Sequence, residues 1–176
     1  MNRWDNYFLK LAEVVAGQSR CLSRQIGAVL VRDKVVVATG YNGPPRGMVH
    51  CEDRLRPLRD VDPLSFEMNP EEKKRNFQLK LTACPRYFLG YDSGEGLHLC
   101  PAAHAEINCI TNAARVGVNT KDTTIYLTCE RPCQNCMTYL VQAGVMTVVC
   151  KDSDYDKMSA FIASQTGIDV ITYEED

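Results

Sequence analysis

The feature that most constrains the fold is the run of alternating elements between residues 102 and 173. Apolar positions there switch repeatedly between helical spacing and short β-branched runs. Residues 102–116 put Ile107, Ile110, Ala113 and Ala114 at helical spacing, while 123–128 (TTIYLT) and 145–150 (VMTVVC) have strand length and composition. Residues 132–143 predict a helix with proline in its first turn and Gly144 just past its end. A short helix over 156–164 and a strand over 170–173 follow. Upstream, Trp4, Phe8, Leu11, Ala12 and Val15 lay one stripe on a helix over 2–17, stopped at Gly17. Strands over 26–31 and 35–39 then form a hairpin across Arg32-Asp33-Lys34, ending in the turn-rich Gly40-Tyr41-Asn42-Gly43-Pro44-Pro45. A helix, a hairpin and helix–strand alternation imply an α/β layer fold with a mixed sheet.

Residues 46–100 break this rhythm. They are polar, rich in proline and carry the charge cluster 71–75, so they are expected to be an irregular insertion in a single domain spanning 1–176, with a short helix over 70–81. Hydrophobic residues make up 45% of the 176, which argues against disorder. The net charge of −2 argues against a broad nucleic-acid-binding face. No apolar run approaches the roughly 18–20 residues of a membrane span, and the N-terminus lacks signal-peptide architecture. A cytoplasmic location is expected, the host's cytoplasm for a viral chain. Nine cysteines, an odd number without any mark of secretion, are poorly explained by a disulfide scaffold. Buried thiols and metal ligands remain.

The chemistry concentrates in His104-Ala105-Glu106 and Pro132-Cys133-Gln134-Asn135-Cys136. One histidine and two cysteines supply three zinc ligands and leave a fourth position open, the pattern of a catalytic site. Two cysteines three apart at a helix start can face one ion, and the helix terminus stabilises their thiolates. Glu106 need not bind the ion and is placed to move protons. A zinc held in this way lowers the pKa of water from 15.7 to about 7. Taken singly, a C-x-x-C is a weak signal and an H-x-E close to noise; their combination in helix-start positions is specific. H-x-E…P-C-x-x-C is the pattern of zinc-dependent nucleobase deaminases.

At these residues the chain resembles the cytidine deaminase superfamily, and within it the deoxycytidylate (dCMP) deaminases. The match runs in order through Arg24-Gln25-Ile26-Gly27-Ala28-Val29, residues 40–47 (GYNGPPRG), His104 to Asn108, and Thr128 to Cys136. The resemblance implies a three-layer α/β/α sandwich around a five-stranded mixed sheet. It also implies hydrolysis of dCMP to dUMP and ammonia, which feeds thymidylate synthesis. A homohexamer, activated by dCTP and inhibited by dTTP, is implied too, with Mg2+ accompanying the triphosphate effector. By the same resemblance Asn42 and Ala105 are substrate-binding candidates, and Gly40, Tyr41, Gly43, Arg46 and Gly47 are effector-loop candidates. Ser19, Arg24 and Tyr155 are further substrate candidates; Arg20 and Ser23 are alternatives for the phosphate. The plainer readings stay open: Asn42 as a turn former, the arginines as solvated surface, Tyr155 as packing. Met137 and Cys129-Glu130-Arg131 depart from the family's usual lead-in without removing a ligand.

Some viral members hold a second, structural zinc in the insertion. Cys21, Cys51, His98 and Cys100 are the candidate ligands here, with His50 and Cys84 in reserve; a closed four-ligand site would staple a loop poor in apolar material. Cys109, Cys129 and Cys150 are expected to be packing residues. Two alternatives to dCMP deamination remain: a zinc deaminase acting on another cytosine nucleotide, such as dCTP or CMP, or on adenosine in tRNA; and a non-catalytic nucleotide sensor on the same fold. The charge and the GYNG loop disfavour tRNA, and Glu106 disfavours the pure sensor.

Overall fold

The structure is a computed structural model that describes residues 1–51, 84, 86, 91, 92, 94–152 and 156–174. The helix expected over 70–81 lies outside the described residues. Two compact units are distinguished: one comprises 1–19, 25–42 and 103–176, the other 20–24 and 43–102.

The first unit contains α1 (Arg3–Ala16), β1 (Gly27–Arg32), β2 (Val35–Tyr41), α2 (Ala105–Arg115), β3 (Thr123–Glu130), α3 (Gln134–Gln142), β4 (Val145–Lys151), α4 (Lys157–Thr166) and β5 (Asp169–Tyr173). The strands form one five-stranded sheet in the order β2-β1-β3-β4-β5. β1 is antiparallel to both β2 and β3, whereas β3, β4 and β5 run parallel. This is the mixed sheet that the alternation implies. Moving steadily outward from β3 through β4 to β5 with right-handed crossovers puts α3 and α4 on one face. The hairpin between β1 and β2 turns through Asp33 and Lys34, both at positive φ (50° and 64°), as a two-residue turn matched to strand twist requires.

Residue alternation along β1 assigns the two faces. Ala28 and Leu30 join Ala105, Cys109, Ile125, Leu127, Met137, Leu140 and Val148 in the larger core, against which Ile162 and Ala163 of α4 also pack. Val29 and Val31 join Phe8, Leu9, Ala12, Tyr126 and Val149 beneath α1. A side chain such as Leu140 or Val148, fully buried here, contributes about 1.5–3 kcal/mol relative to exposure. Helices α2 to α4 therefore cover one side and α1 the other, giving the three layers. α1 starts in a capping box: Asn2 accepts from the N–H groups of Trp4 and Asp5, and Asp5 accepts from Asn2 N–H.

β3 and β4 hold one register from Thr124↔Thr147 to Tyr126↔Val149, with shifts before it and again before Glu130↔Lys151. Tyr173 Oη donates to the Leu127 carbonyl at 3.0 Å in this stretch. The pairing is thus irregular toward the carboxyl edge of the strands, the usual side for a site in such sheets.

In the second unit, the Met48 N–H donates to the Pro45 carbonyl at 3.1 Å, with Gly47 at φ +83°. That left-handed third turn position explains the glycine there. A one-turn 3-10 helix, Leu97–Leu99, follows Gly96. Among the described residues no helix is long and apolar enough to cross a membrane.

Candidate metal centre

The helix expected from residue 102 starts later. His104 is its N-cap with extended backbone (φ −68°, ψ 157°), and Ala105 is the first residue of α2. Cys133 likewise is the N-cap of α3 (φ −62°, ψ 164°), so Pro132 precedes the cap and does not lie in the first turn. Extended backbone at both caps turns the two side chains away from their helices and toward each other. His104 Nδ1 lies 3.6 Å from Cys133 Sγ and 3.3 Å from Cys136 Sγ. All three ligand atoms fall within 4.8 Å of one another. Zinc bonds of about 2.0–2.3 Å in a tetrahedral arrangement separate a nitrogen from a sulfur ligand by about 3.6 Å, so these three groups fit the ion.

The electrostatics agree. A hydrogen bond with Cys136 and another with His104 hold the Cys133 thiol down at about 4, a thiolate at neutral pH. The shared bond and burial push Cys136 up, so the remaining proton of the pair sits there. Hydrogen bonding to Cys133 raises His104 despite partial burial. Glu106, in the first turn of α2, is 3% exposed, and burial raises its carboxyl above the ordinary carboxylate range. A carboxyl so placed can both take and return a proton near neutral pH.

The other predicted residues divide. Ala105 is fully buried at the start of α2. Asn42 is 8% exposed; its Oδ1 accepts from Ile26 N–H at 2.8 Å and its N–H donates to the Ile26 carbonyl at 3.1 Å. Ser19, 1% exposed, donates through Oγ to the Asn42 carbonyl at 2.8 Å. Ser19 thus holds the Asn42 turn. Gly40 is buried, and a Cβ there would lie 2.3 Å from Cys109 N and 2.5 Å from Ala105 O. Close approach of α2 accounts for glycine at this position without any effector. Tyr41 is 38% exposed, and its carbonyl accepts from Asn108. Arg24 and Arg46 are exposed in the second unit, and Gly43 is buried there. Tyr155 lies outside the described residues.

Among the described residues His104, Cys133 and Cys136 form a group able to hold a metal, and Cys21, Cys51, His98 and Cys100 are not among its members. Their surroundings differ: Cys51 is 6% exposed, whereas His98 is exposed and stands edge-on to Tyr91, ring centroids 6.0 Å apart. A closed tetrahedral site needs four ligand atoms around one centre, and spacing in sequence alone does not provide that. Cys109 and Cys150 are fully buried and Cys129 nearly so, as packing residues should be; burial pushes Cys109 up to about 12 and Cys150 to about 11.

Several residues that position the site were missed from sequence. Asn108 Nδ2 donates to the Tyr41 carbonyl at 2.8 Å and reaches the Ala103 carbonyl at 3.5 Å, tying α2 to the end of β2. Asn112 repeats this one turn later on the Thr39 carbonyl. The i,i+4 spacing of two asparagines on the helix of the H-x-E motif was the available signal. Asp156 and Ser159 bond to the backbone around Cys133, and the sequence alone reads both only as part of a short helix over 156–164.

Comparison with known proteins agrees with this geometry. The family model described as "Cytidine and deoxycytidylate deaminase zinc-binding region" matches residues 2–152. A deoxycytidylate deaminase of Saccharomyces cerevisiae is 33% identical over 168 residues, 95% of this chain and 44% of the yeast protein. One from Mycobacterium phage D29 is 30% identical over 151 residues, 83% of this chain and 92% of the phage protein. The chain spans under half the length of the two fungal relatives it matches. The dCMP deaminase of cyanophage S-TIM5, solved in complex with dCMP and dUMP, shares the fold: TM-score 0.65, 20% identity, 98% of this chain and 99% of that one. The chain belongs to the cytidine and deoxycytidylate deaminase family, the family of that zinc-binding region.

Proposed function

We propose that this member of the family hydrolyses dCMP to dUMP and ammonia. The observation that carries the reading is the meeting of His104, Cys133 and Cys136 with a buried carboxyl, Glu106, two residues along the same chain segment from His104. The names of the yeast and phage relatives support dCMP as the substrate. His104 Nδ1 and the two sulfurs would hold zinc, which when bound supplies the Lewis acidity that makes water a nucleophile at neutral pH.

The chain's own residues do the rest. Glu106, raised by burial, accepts a proton from the attacking water and delivers it to the ring nitrogen next to the amine-bearing carbon. It then takes the remaining proton of the added hydroxyl and delivers it to the leaving amine, so water's oxygen stays on the ring as a carbonyl and ammonia departs. Burial keeps the carboxyl's proton exchange directed at the substrate. The Ala105 N–H, at the N-terminus of α2, is placed to donate to the ring's carbonyl oxygen. Asn42, held by Ser19 and Ile26, presents its turn to the sugar.

The test is a substrate panel of dCMP, CMP, deoxycytidine, dCTP and tRNA with the zinc-loaded protein, measuring ammonia release and metal content. Turnover of dCMP is expected, with Glu106→Gln losing on the order of 10²–10⁴-fold in rate while retaining zinc. Absence of dCMP turnover, with and without dCTP, would overturn the reading. We further propose that the chain works as a homohexamer whose activity dCTP with Mg2+ raises and dTTP lowers, with Arg46 and Gly47 in the effector loop and the second unit an insertion in one catalytic domain. Light scattering and rate measurement during nucleotide titration test this part separately.

A further inference from the structure

A cysteine that is both an N-cap and a metal ligand meets a conflict. The helix wants a side-chain acceptor at its first turn, while the metal needs the sulfur elsewhere. Cys133 resolves it in favour of the metal: as N-cap of α3 it makes no side-chain cap hydrogen bond, and its Sγ is 3.6 Å from His104 Nδ1. The missing acceptor comes from another helix. Asp156 Oδ2 accepts from the Gln134 N–H, the first of α3, at 2.7 Å. Its Oδ1 accepts from the Ser159 N–H at 2.9 Å, capping α4 in the ordinary way. The Ser159 hydroxyl, on a fully buried residue, donates to the Pro132 carbonyl at 2.6 Å.

We propose that Asp156 is a surrogate N-cap for α3 and, with Ser159, a positioning pair that holds the turn carrying Cys133 in its metal-binding conformation. The backbone is gripped on both sides of the ligand, at Pro132 and at Gln134, by two side chains three residues apart on one helix start. Cys133 is freed from capping and points at the ion. The inference rests on the reading of His104, Cys133 and Cys136 as a metal centre, not on the identity of the substrate.

The experiment is to load wild type, Asp156→Asn, Asp156→Ala and Ser159→Ala with zinc and measure its release to a metallochromic chelator. The Co(II)-substituted proteins are compared by absorption, because sulfur-to-cobalt bands report thiolate geometry. Asp156→Asn retains one oxygen to cap α4 but turns an N–H2 toward another N–H donor, so it keeps the fold while losing the grip on α3. Outer groups of this kind typically change metal affinity about 10–100-fold. Zinc release at least tenfold faster in Asp156→Asn and Asp156→Ala, with shifted cobalt bands and unchanged far-ultraviolet circular dichroism, is the expected result. Wild-type release rates and cobalt spectra in both Asp156 variants, whatever their melting temperatures, would overturn it. If Asp156→Ala fails to fold, Asp156→Asn carries the decision. A wild-type chain that takes up no metal would overturn the metal centre and this proposal with it, an outcome distinguishable from the first because it appears without any substitution.

Discussion

The two arms of the metal centre are held by unlike means. The arm bearing His104 and Glu106 is backed by main chain: α2 lies so close to β2 that a Cβ on Gly40 would sit 2.3 Å from Cys109 N. Asn108 and Asn112, one helical turn apart, then bond to the carbonyls of Tyr41 and Thr39. The arm bearing Cys133 and Cys136 is gripped by the side chains of α4. Backbone against backbone in a close-packed interior admits almost no adjustment, while a polar cap can be weakened in steps. The rigid arm carries the buried carboxyl, whose work depends on reach; the adjustable arm carries the two sulfurs that would hold the ion.

Metal removal tests the comparison most severely. Chelation should abolish turnover by about 1,000-fold or more, since the Lewis acidity is lost entirely. The stripped protein should then alkylate first at Cys133, held down at about 4, while Cys109 and Cys150, fully buried and raised to about 12 and 11, stay silent until unfolding. Peptide mapping after iodoacetamide treatment at pH 7 checks both halves; labelling of Cys109 at the rate of Cys133 would show that the rigid arm is not rigid. Next in size is Gly40→Ala. Its methyl group meets main chain on α2, so a loss of about 3 kcal/mol or more is expected, read as a fall of about 6–12 °C in Tm. A Tm within a degree of wild type would remove the contrast between the arms.

Asn108 and Asn112 sharpen the contrast on a smaller scale. Each donates to a β2 carbonyl, so Asn108→Ala and Asn112→Ala should each cost about 1–2 kcal/mol in urea unfolding. Asn108 alone also reaches the Ala103 carbonyl, next to the ligand His104. Only Asn108→Ala is therefore expected to lower kcat, by about tenfold, a loss of about 1.4 kcal/mol. Equal kcat losses would mean that the arm transmits any slack to the site; no loss in either would mean that Gly40 suffices to hold α2.

Much of this was legible in the sequence, for identifiable reasons. Period-two and period-3.6 patterns placed every strand and helix of the first unit within a few residues, because burial on one face dictates those periods. His104, Glu106, Cys133 and Cys136 were legible because the chemistry demands those types near helix starts. The helix ends were less so. Ala102 and Ala103 favour helix by propensity, yet α2 begins only after His104, whose extended backbone serves the ligand position. The close packing of Gly40 was not legible, since nothing local says that α2 crosses β2 there. The quartet Cys21, Cys51, His98 and Cys100 rests on residue type in a polar stretch, a signal that does not say whether the ligand atoms meet at one point. Asp156 reads in the sequence as the first residue of a helix and is its cap; that its second oxygen serves α3 is a property of packing between helices.

The pH dependence of the adjustable arm follows from Asp156 and gives the smallest expected effect. Its carboxyl lies below its ordinary value of 3.8 because the Ser159 N–H, and after it the Gln134 N–H, stabilise the charged form. A group whose folded pKa is depressed contributes stability that is fully present above the unfolded value and is lost as pH falls through the folded one. The Tm difference between wild type and Asp156→Asn should therefore be constant from pH 8 to 5 and shrink only below 3.8. His104 behaves oppositely: raised by Cys133, it starts to hold a proton at higher pH than an ordinary imidazole and so, with the proton held on Cys136, competes with zinc as pH falls. Acid should thus release the metal through the ligands while the α4 grip is still intact, and Asp156→Asn should displace the zinc-retention curve without bending it. If the two Tm curves already converge at pH 6, the grip on the cysteine arm depends on a group other than Asp156, and the adjustable arm is adjusted elsewhere.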